Sequence, residues 1–450
     1  MKEHSLPIVR RHSCQLLVVG GGPAGIASAV MAARSGIRVI LAEAEGFLGG
    51  VASSCLVGPY MSCYDPKGEI QVIRGFFDEL VSRLVREGGA IHPSEIRDGD
   101  SHCCYRTLGH AGCTPYDAEV LKRVAEDMCL EAGVTLMYHM SLVDTVMDGS
   151  RIAEAIFATK GGLHSIEAEQ FLDCTGDADL TWLAGFPTQV GDENGTTQVT
   201  SMFFMVSGID KDRLDGFYKE PLESEDYNRR YMVDFLQEEH RNGRFPCGRS
   251  EVNISQAMNG LWFVNLSQID RAVDISDPEQ VTAAEIEGRR QIPVLIDFMH
   301  RNIPGCENAV LVKSSSRLGV RESRHIIGEY QLTGEDVLNG RIFADGVLTA
   351  GNGIDSHNQK DNDYQVAEKP YTVPYRCFIP QGSENLLAAG RCLSADHAAL
   401  AAVRVSPPCY AMGHAVGRAM GLAIRYGIRP SDIDITELRE ILVQDGAYLL

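Results

Sequence analysis

The order of apolar runs and glycines predicts an α/β protein built on a parallel sheet. Three observations carry this. Residues 15–19, QLLVV, form a short apolar run that stops at Gly20-Gly21-Gly22. Ile26 to Gly36 is a small-residue stretch of helical character that ends on glycine, and Ile37–Leu41 is a second apolar run. Strand, helix and strand in so short a space is the signature of a βαβ unit, whose strands are buried on both faces and so read as continuous apolar runs.

The bulk composition suits a soluble globular protein. The 450 residues are 44% hydrophobic and 23% charged, and the length suggests two or three domains. A formal net charge of −20 argues against nucleic acid or an anionic membrane surface as partner. There is no apolar run of the ~18 residues that a membrane span needs. The 13 cysteines include no CxxC pair and no metal-binding spacing, so they read as free thiols of a reducing compartment, and a cytoplasmic location is expected with no metal site.

Gly20-Gly21-Gly22-Pro23-Ala24-Gly25 is G-x-G-x-x-G between the first strand and its helix. Gly20 permits the tight turn, Gly22 lets a pyrophosphate approach the backbone, and Gly25 lets helix and strand pack closely. Pro23 suits the first helical turn, whose free N–H groups and partial positive charge favour phosphate. Glu43-Ala44 follows the second strand, where an acid accepts hydrogen bonds from ribose hydroxyls and disfavours a 2′-phosphate. The set predicts a Rossmann-like dinucleotide site. Gly49-Gly50-Val51-Ala52 adds a second place of close backbone approach, with Gly21 read as the variable position of the first motif.

Further along, Asp117 to Gly133 has helical spacing with a cap and a stop. Three extended runs follow at 134–147, 151–159 and 163–168, and Gln170–Asp177 reads as a separate buried strand ending in Thr175-Gly176-Asp177. Glu384–Arg391 is another buried strand, and a helix is expected from about Cys409 to Arg425 with Pro408 at its start. Taken together these segments resemble the glutathione-reductase-type FAD fold and, more widely, a bacterial family of FAD-dependent oxidoreductases. The matching stretches are Leu16–Ala52, Tyr116–Gly185, Ser316–Arg324, Val373–Arg376 and Asn385–Gly417. The resemblance implies a Rossmann-like FAD-binding domain with a three-stranded β-meander and an inserted α+β substrate domain. It implies FAD as cofactor, Val143 near the adenine, Thr175, Gly176 and Asp177 near the pyrophosphate, and Gly390, Arg391 and Gly413 near the flavin. Many members have Gly-Asp where this chain has Gly390-Arg391. The expected division is 1–191 and 341–450 for the FAD domain and 192–340 for the cap.

No second G-x-G-x-x-G is present, so electrons pass to or from a small-molecule substrate, a diffusible acceptor or donor, or another protein; a homo-oligomer is open. Candidate catalytic groups are His357, His397 and Arg404: histidine for proton transfer near neutral pH, arginine for a carboxylate or developing oxyanion. Arg317, Arg321 and Arg324 read as one face of a helix paired with Glu322 or Glu329. The expected activity is hydride transfer between a small polar substrate and flavin N5. Two alternatives are an electron-relay subunit of a larger assembly and a dinucleotide enzyme resembling thiazole synthase.

Overall fold

The computed structural model describes residues 6–97, 99–105, 112–219, 227–358 and 362–450. The chain begins with strand β1 (Ile8–Val19), helix α1 (Pro23–Ala33) and strand β2 (Val39–Ala42), then helix α2 (Ala118–Glu131) and strand β3 (Thr135–Met137). Strands β4 (Ser141–Asp148), β5 (Arg151–Thr159) and β6 (Gly162–Asp173) form an antiparallel meander. β1 is seven residues longer than the apolar run, because its polar first half, Ile8–Ser13, pairs with Leu163–Glu167.

Two expectations are corrected here. The run 134–147 is two strands, broken at His139, which has a positive φ of 57°. The runs 163–168 and 170–173 are one strand, β6. Its first half pairs with β5 and its second half continues into the parallel sheet beside β1. One long strand therefore belongs to both the meander and the nucleotide-binding sheet, and nothing in its residue pattern marks the change of neighbour.

The middle of the chain contributes strands β7 (Phe204–Ser207), β8 (Asn253–Gln256) and β9 (Trp262–Asn265), the long helix α3 (Pro278–Asn302) and strand β10 (Val310–Ser314). The four strands make a separate antiparallel sheet in the order β10-β7-β9-β8. The start of α3 is set by Asp277, which accepts from the N–H groups of Glu279 and Gln280, and by Pro278 in the first turn. It runs through Pro293. Phe204, Val206, Trp262, Leu295, Phe298 and Met299 form the core between sheet and helix. Phe203, Met205 and Phe263 pack instead into the main core, so this unit is seated on the nucleotide-binding layer.

The chain then returns with strand β11 (Leu386–Ala388), helix α4 (His397–Val403) and helix α5 (Ser406–Tyr426). β11 pairs in parallel with the second half of β6, completing a parallel sheet β3-β2-β1-β6-β11. α5 crosses α1 at backbone contact. A Cβ on Gly413 would stand 2.2 Å from Ala24 O, and one on Gly417 would stand 2.6 Å from Ser28 O. Among the described residues no helix is long and apolar enough to cross a membrane.

Candidate functional site

At the carboxyl ends of the parallel strands lies a cleft of about 570 Å³, walled on one side by the glycine loop and on the other by the middle segment of the chain. The loop geometry separates the jobs of its glycines. Gly20 has φ +100°, and a Cβ there would lie 2.4 Å from Cys174 O. A Cβ on Gly25 would lie 1.8 Å from Gly20 O. Both are therefore demanded by the protein's own packing. Gly22 is different: the nearest atom to a Cβ there is Gly50 Cα at 3.9 Å, and Gly22 lines the cleft. Its missing side chain leaves room in the cleft rather than in the fold.

Gly21 is not the tolerant position it is expected to be. A Cβ would meet Leu48 Cδ2 at 2.5 Å and Glu43 Oε2 at 3.0 Å. Gly21 N–H donates to that same Glu43 oxygen at 2.5 Å, and Glu45 N–H donates to the other at 2.8 Å. Glu43, buried and lining the cleft, is thus locked in place before any ribose meets it. The Gly49-Gly50 pair serves this loop too. Gly49 N–H donates to Gly21 O at 2.9 Å, and Gly50, at φ +51°, brings its α-carbon against Gly22.

Most predicted cofactor residues converge on the cleft: Gly20, Gly22, Pro23, Ala24, Glu43, Ala44, Gly50, Val51, Thr175, Gly176, Asp177, Gly390 and Arg391 line it. Others do not. Gly25, Gly49 and Ala52 support the wall from behind, Ala52 being fully buried and accepting from Tyr116 through its carbonyl. Val143 is corrected: its side chain is 43% exposed, and Met140, Ser141 and Leu142 form that part of the wall. Gly413 is also corrected; it meets Ala24 and not the cleft.

Two carboxylates hold the turn after β6: Asp173, which the sequence did not mark as a site residue, and the predicted Asp177. Asp173 accepts from Thr175 N–H and hydroxyl (3.1 and 2.7 Å) through one oxygen and from Thr181 N–H and hydroxyl (both 2.8 Å) through the other. Asp177 pairs with Arg391 at 2.6 Å and with the Ser323 hydroxyl. Burial pushes the Asp177 carboxyl up, but Arg391 and the Ser323 hydrogen bond bring it below its ordinary value.

The far wall is assembled from distant segments. The residues 315–323 are irregular, not helical. Arg317, Arg321 and Arg324 therefore share no helix face. Arg317 and Arg321 line the cleft, while Arg324 pairs with Asp179. Glu322 points away from the arginines: its Oε2 accepts from Gln198 N–H at 2.9 Å and lies 2.8 Å from His397 Nδ1. That contact raises the His397 pKa. His397 also meets Asn358 at 3.3 Å and does not line the cleft, so the cleft brings together His357 and Arg404 but not His397.

His357 and Arg404 do line the cleft, together with Asp355. His357 Nε2 is 3.2 Å from Asp355 Oδ2. Burial, and next the charge of Arg321, push the imidazole down to about 4, against the pull of Asp355. Arg404 Nη2 donates to Gln198 Oε1 at 3.3 Å and to Asp355 O at 3.1 Å. The helix α5 begins beside it at Ser406 rather than Cys409, with Pro407 and Pro408 in its first turn. Those prolines remove two of the N–H groups an N-terminus ordinarily offers, so what α5 presents to the cleft is mainly its dipole.

The residues fit FAD. The Gly22 opening, the fixed Glu43 carboxylate, the N-terminus of α1 and the Thr175-Gly176 turn are arranged around one cleft, and together they define a Rossmann-like dinucleotide-binding oxidoreductase. The family described as FAD dependent oxidoreductase matches residues 15–442, and the chain belongs to it; FAD is its cofactor. No curated protein matches the sequence. Among solved structures, a geranylgeranyl bacteriochlorophyll reductase-like protein from Thermoplasma acidophilum is 12% identical over 97% of this chain and 85% of that one, at a TM-score of 0.49. The p-nitrophenol 4-monooxygenase of Pseudomonas putida is 13% identical over 98% and 87%, at 0.46. An anhydrotetracycline hydroxylase from Streptomyces rimosus is 12% identical over 95% and 65%, at 0.47. Likenesses this distant carry no argument about chemistry.

Proposed function

We propose that this FAD-dependent oxidoreductase moves a hydride between a carbon of a small polar substrate and flavin N5. The observation that supports it most is that His357, Asp355 and Arg404 share a cleft with the dinucleotide cradle. When bound, FAD supplies a two-electron centre that takes or gives hydride. The protein's part is binding and proton handling. In the oxidative direction the substrate C–H bond breaks with its electron pair, and the hydroxyl proton on the same carbon needs a base. His357 is that base: its low pKa keeps it neutral at physiological pH, and Asp355, 3.2 Å from its Nε2, orients the ring. Arg404 donates to the oxygen on which negative charge collects.

The test is anaerobic mixing of the FAD-loaded protein with panels of hydroxy acids, alcohols and sugars. Bleaching of the flavin bands by one class is the expected result. A flavin that no small molecule bleaches, but that a co-purifying protein reduces or re-oxidises, would replace this reading with electron relay.

A further inference from the structure

The charges of the far wall narrow the substrate class, on the reading that this wall faces the substrate. Arg321 is 7% exposed and lines the cleft. Its Nη1 donates to Val199 O at 2.7 Å, and among the described residues no other acceptor meets its guanidinium. Arg404, in the same wall, has its Nε buried without an acceptor. Its nearest acid is Asp355, 4.0 Å from Nη2, and that carboxylate is shared with His357. Glu322 is committed to Gln198 and His397. Two guanidiniums thus face the cleft here against one shared carboxylate. Burial lowers both arginines' pKa values; the charges of Arg249 and then Arg404 add to this at Arg321, and that of Arg391 adds to it at Arg404 against the pull of Asp355 and Glu322.

The nucleotide side is not built this way. There Arg391 is paired with Asp177 at 2.6 Å, and Arg317 donates to the Ser54 hydroxyl at 3.1 Å with Glu43 and Glu45 close enough to raise its pKa against the effect of burial. The surplus of positive charge therefore sits with His357, not with the cradle. A buried guanidinium left without an anion is strongly disfavoured, and the planar fork of arginine matches the two oxygens of a carboxylate. We infer that the substrate is a small carboxylic acid, its carboxylate received by Arg321 and Arg404. One anionic charge balances the two guanidiniums against Asp355, and the carbon to be oxidised or reduced is then held beside His357.

Binding can be read without turnover. The oxidised, FAD-loaded protein is titrated with glycolate, lactate, succinate and benzoate, with glycolamide, lactamide, succinamide and benzamide, and with inorganic phosphate, following the visible flavin bands. We expect a saturable shift with at least one acid and none with its amide. Arg321→Lys and Arg404→Lys should each weaken that acid by about tenfold or more while FAD content stays that of wild type. The inference is overturned if no acid binds, if amides bind as well as acids, if phosphate alone binds, or if both lysine variants keep the wild-type dissociation constant. It is also overturned if the variants lose FAD, since the arginines would then serve the cofactor. The wild-type comparison of acid with amide needs no variant. An acid that binds but never bleaches the flavin removes the hydride-transfer reading and leaves this one; bleaching by neutral alcohols without acid binding does the reverse.

Discussion

The glycine loop and the arginine wall face each other across one cleft and are built on opposite rules. The loop is chiefly local: Gly21, Gly25, Glu43 and Gly49 answer to one another or to near neighbours within the first 53 residues, while Gly20 packs against Cys174 O from the segment after β6. Its one acidic side chain, Glu43, is held by Gly21 and Glu45 N–H groups before a ligand arrives. The wall is drawn from Gln198, Arg321, Asp355, His357 and Arg404, which lie far apart in the chain, and its cations outnumber the acids that meet them. A prebuilt cradle suits a cofactor that every turnover shares, whereas an unbalanced wall suits a ligand that comes and goes. The comparison can be broken or sharpened by experiment.

The largest effect is expected where the loop leaves no room. Gly25→Val places atoms on Gly20 O, where even a Cβ would stand at 1.8 Å, and should cost more than about 3 kcal/mol. Thermal melting checks this; a wild-type melting temperature would mean that the loop is not rigid. Gly22→Val should leave the fold intact, because nothing lies within 3.9 Å of its Cβ, yet weaken FAD by about a hundredfold or more. Titration of the apoprotein with FAD reads it, and unchanged affinity would move the cradle elsewhere. Gly21→Ala, by contrast, should lower stability and FAD affinity together, through Leu48 and Glu43.

On the wall, pH is the probe. His357 has a folded pKa of about 4 against 6.5 unfolded. In that window the unfolded state binds the extra proton, so its contribution to stability is fully present above 6.5 and is lost as pH falls toward 4. The span is on the order of 3 kcal/mol. His357→Asn should flatten that acid limb of the stability profile and depress kcat. An unchanged limb would mean that the imidazole is not buried neutral.

Arg404→Lys keeps the charge and loses the fork, so kcat/KM should fall about tenfold, roughly 1.4 kcal/mol, with normal FAD content. Loss of FAD with normal activity per flavin would make Arg404 structural. The smallest effect is expected at His397. Its folded pKa is raised by Glu322, so its contribution is present below 6.5 and disappears as pH rises through the folded value. His397→Asn should cost less than about 1 kcal/mol on the acid side, and lower kcat/KM less than Arg404→Lys does. A larger loss of kcat/KM would return it to the catalytic set.

What could be read along the chain tracks how local each feature is. Gly22, Gly25 and Glu43 were legible because their jobs are set by residues within one unit, and Gly20 was legible from its turn although it also packs against Cys174 O. The Thr175-Gly176 turn and the Glu384–Arg391 strand were legible as motifs, but Asp173, whose two oxygens hold that turn, looks in sequence like any strand-end acid. Val143 proves exposed, because which residues of a strand face a cleft depends on the segments packed around it. Gly413 reads as a cofactor glycine and proves to be a packing glycine, because only the approach of α5 to Ala24 decides which it is.

By itself the sequence determined the βαβ unit, the dinucleotide cradle, the family and so the cofactor, since backbone conformation and close approach at glycines are imposed by chemistry a few residues wide. Only the tertiary structure decided that β6 is a single strand shared by meander and sheet, that the arginines at 317–324 share no helix, and that His397 turns to Glu322 while His357 turns to the cleft. Each of these depends on which distant segment a residue meets. Desolvation and Coulomb terms depend on those meetings and not on the order of the chain, so the wall's charge imbalance could not be read before its segments were brought together.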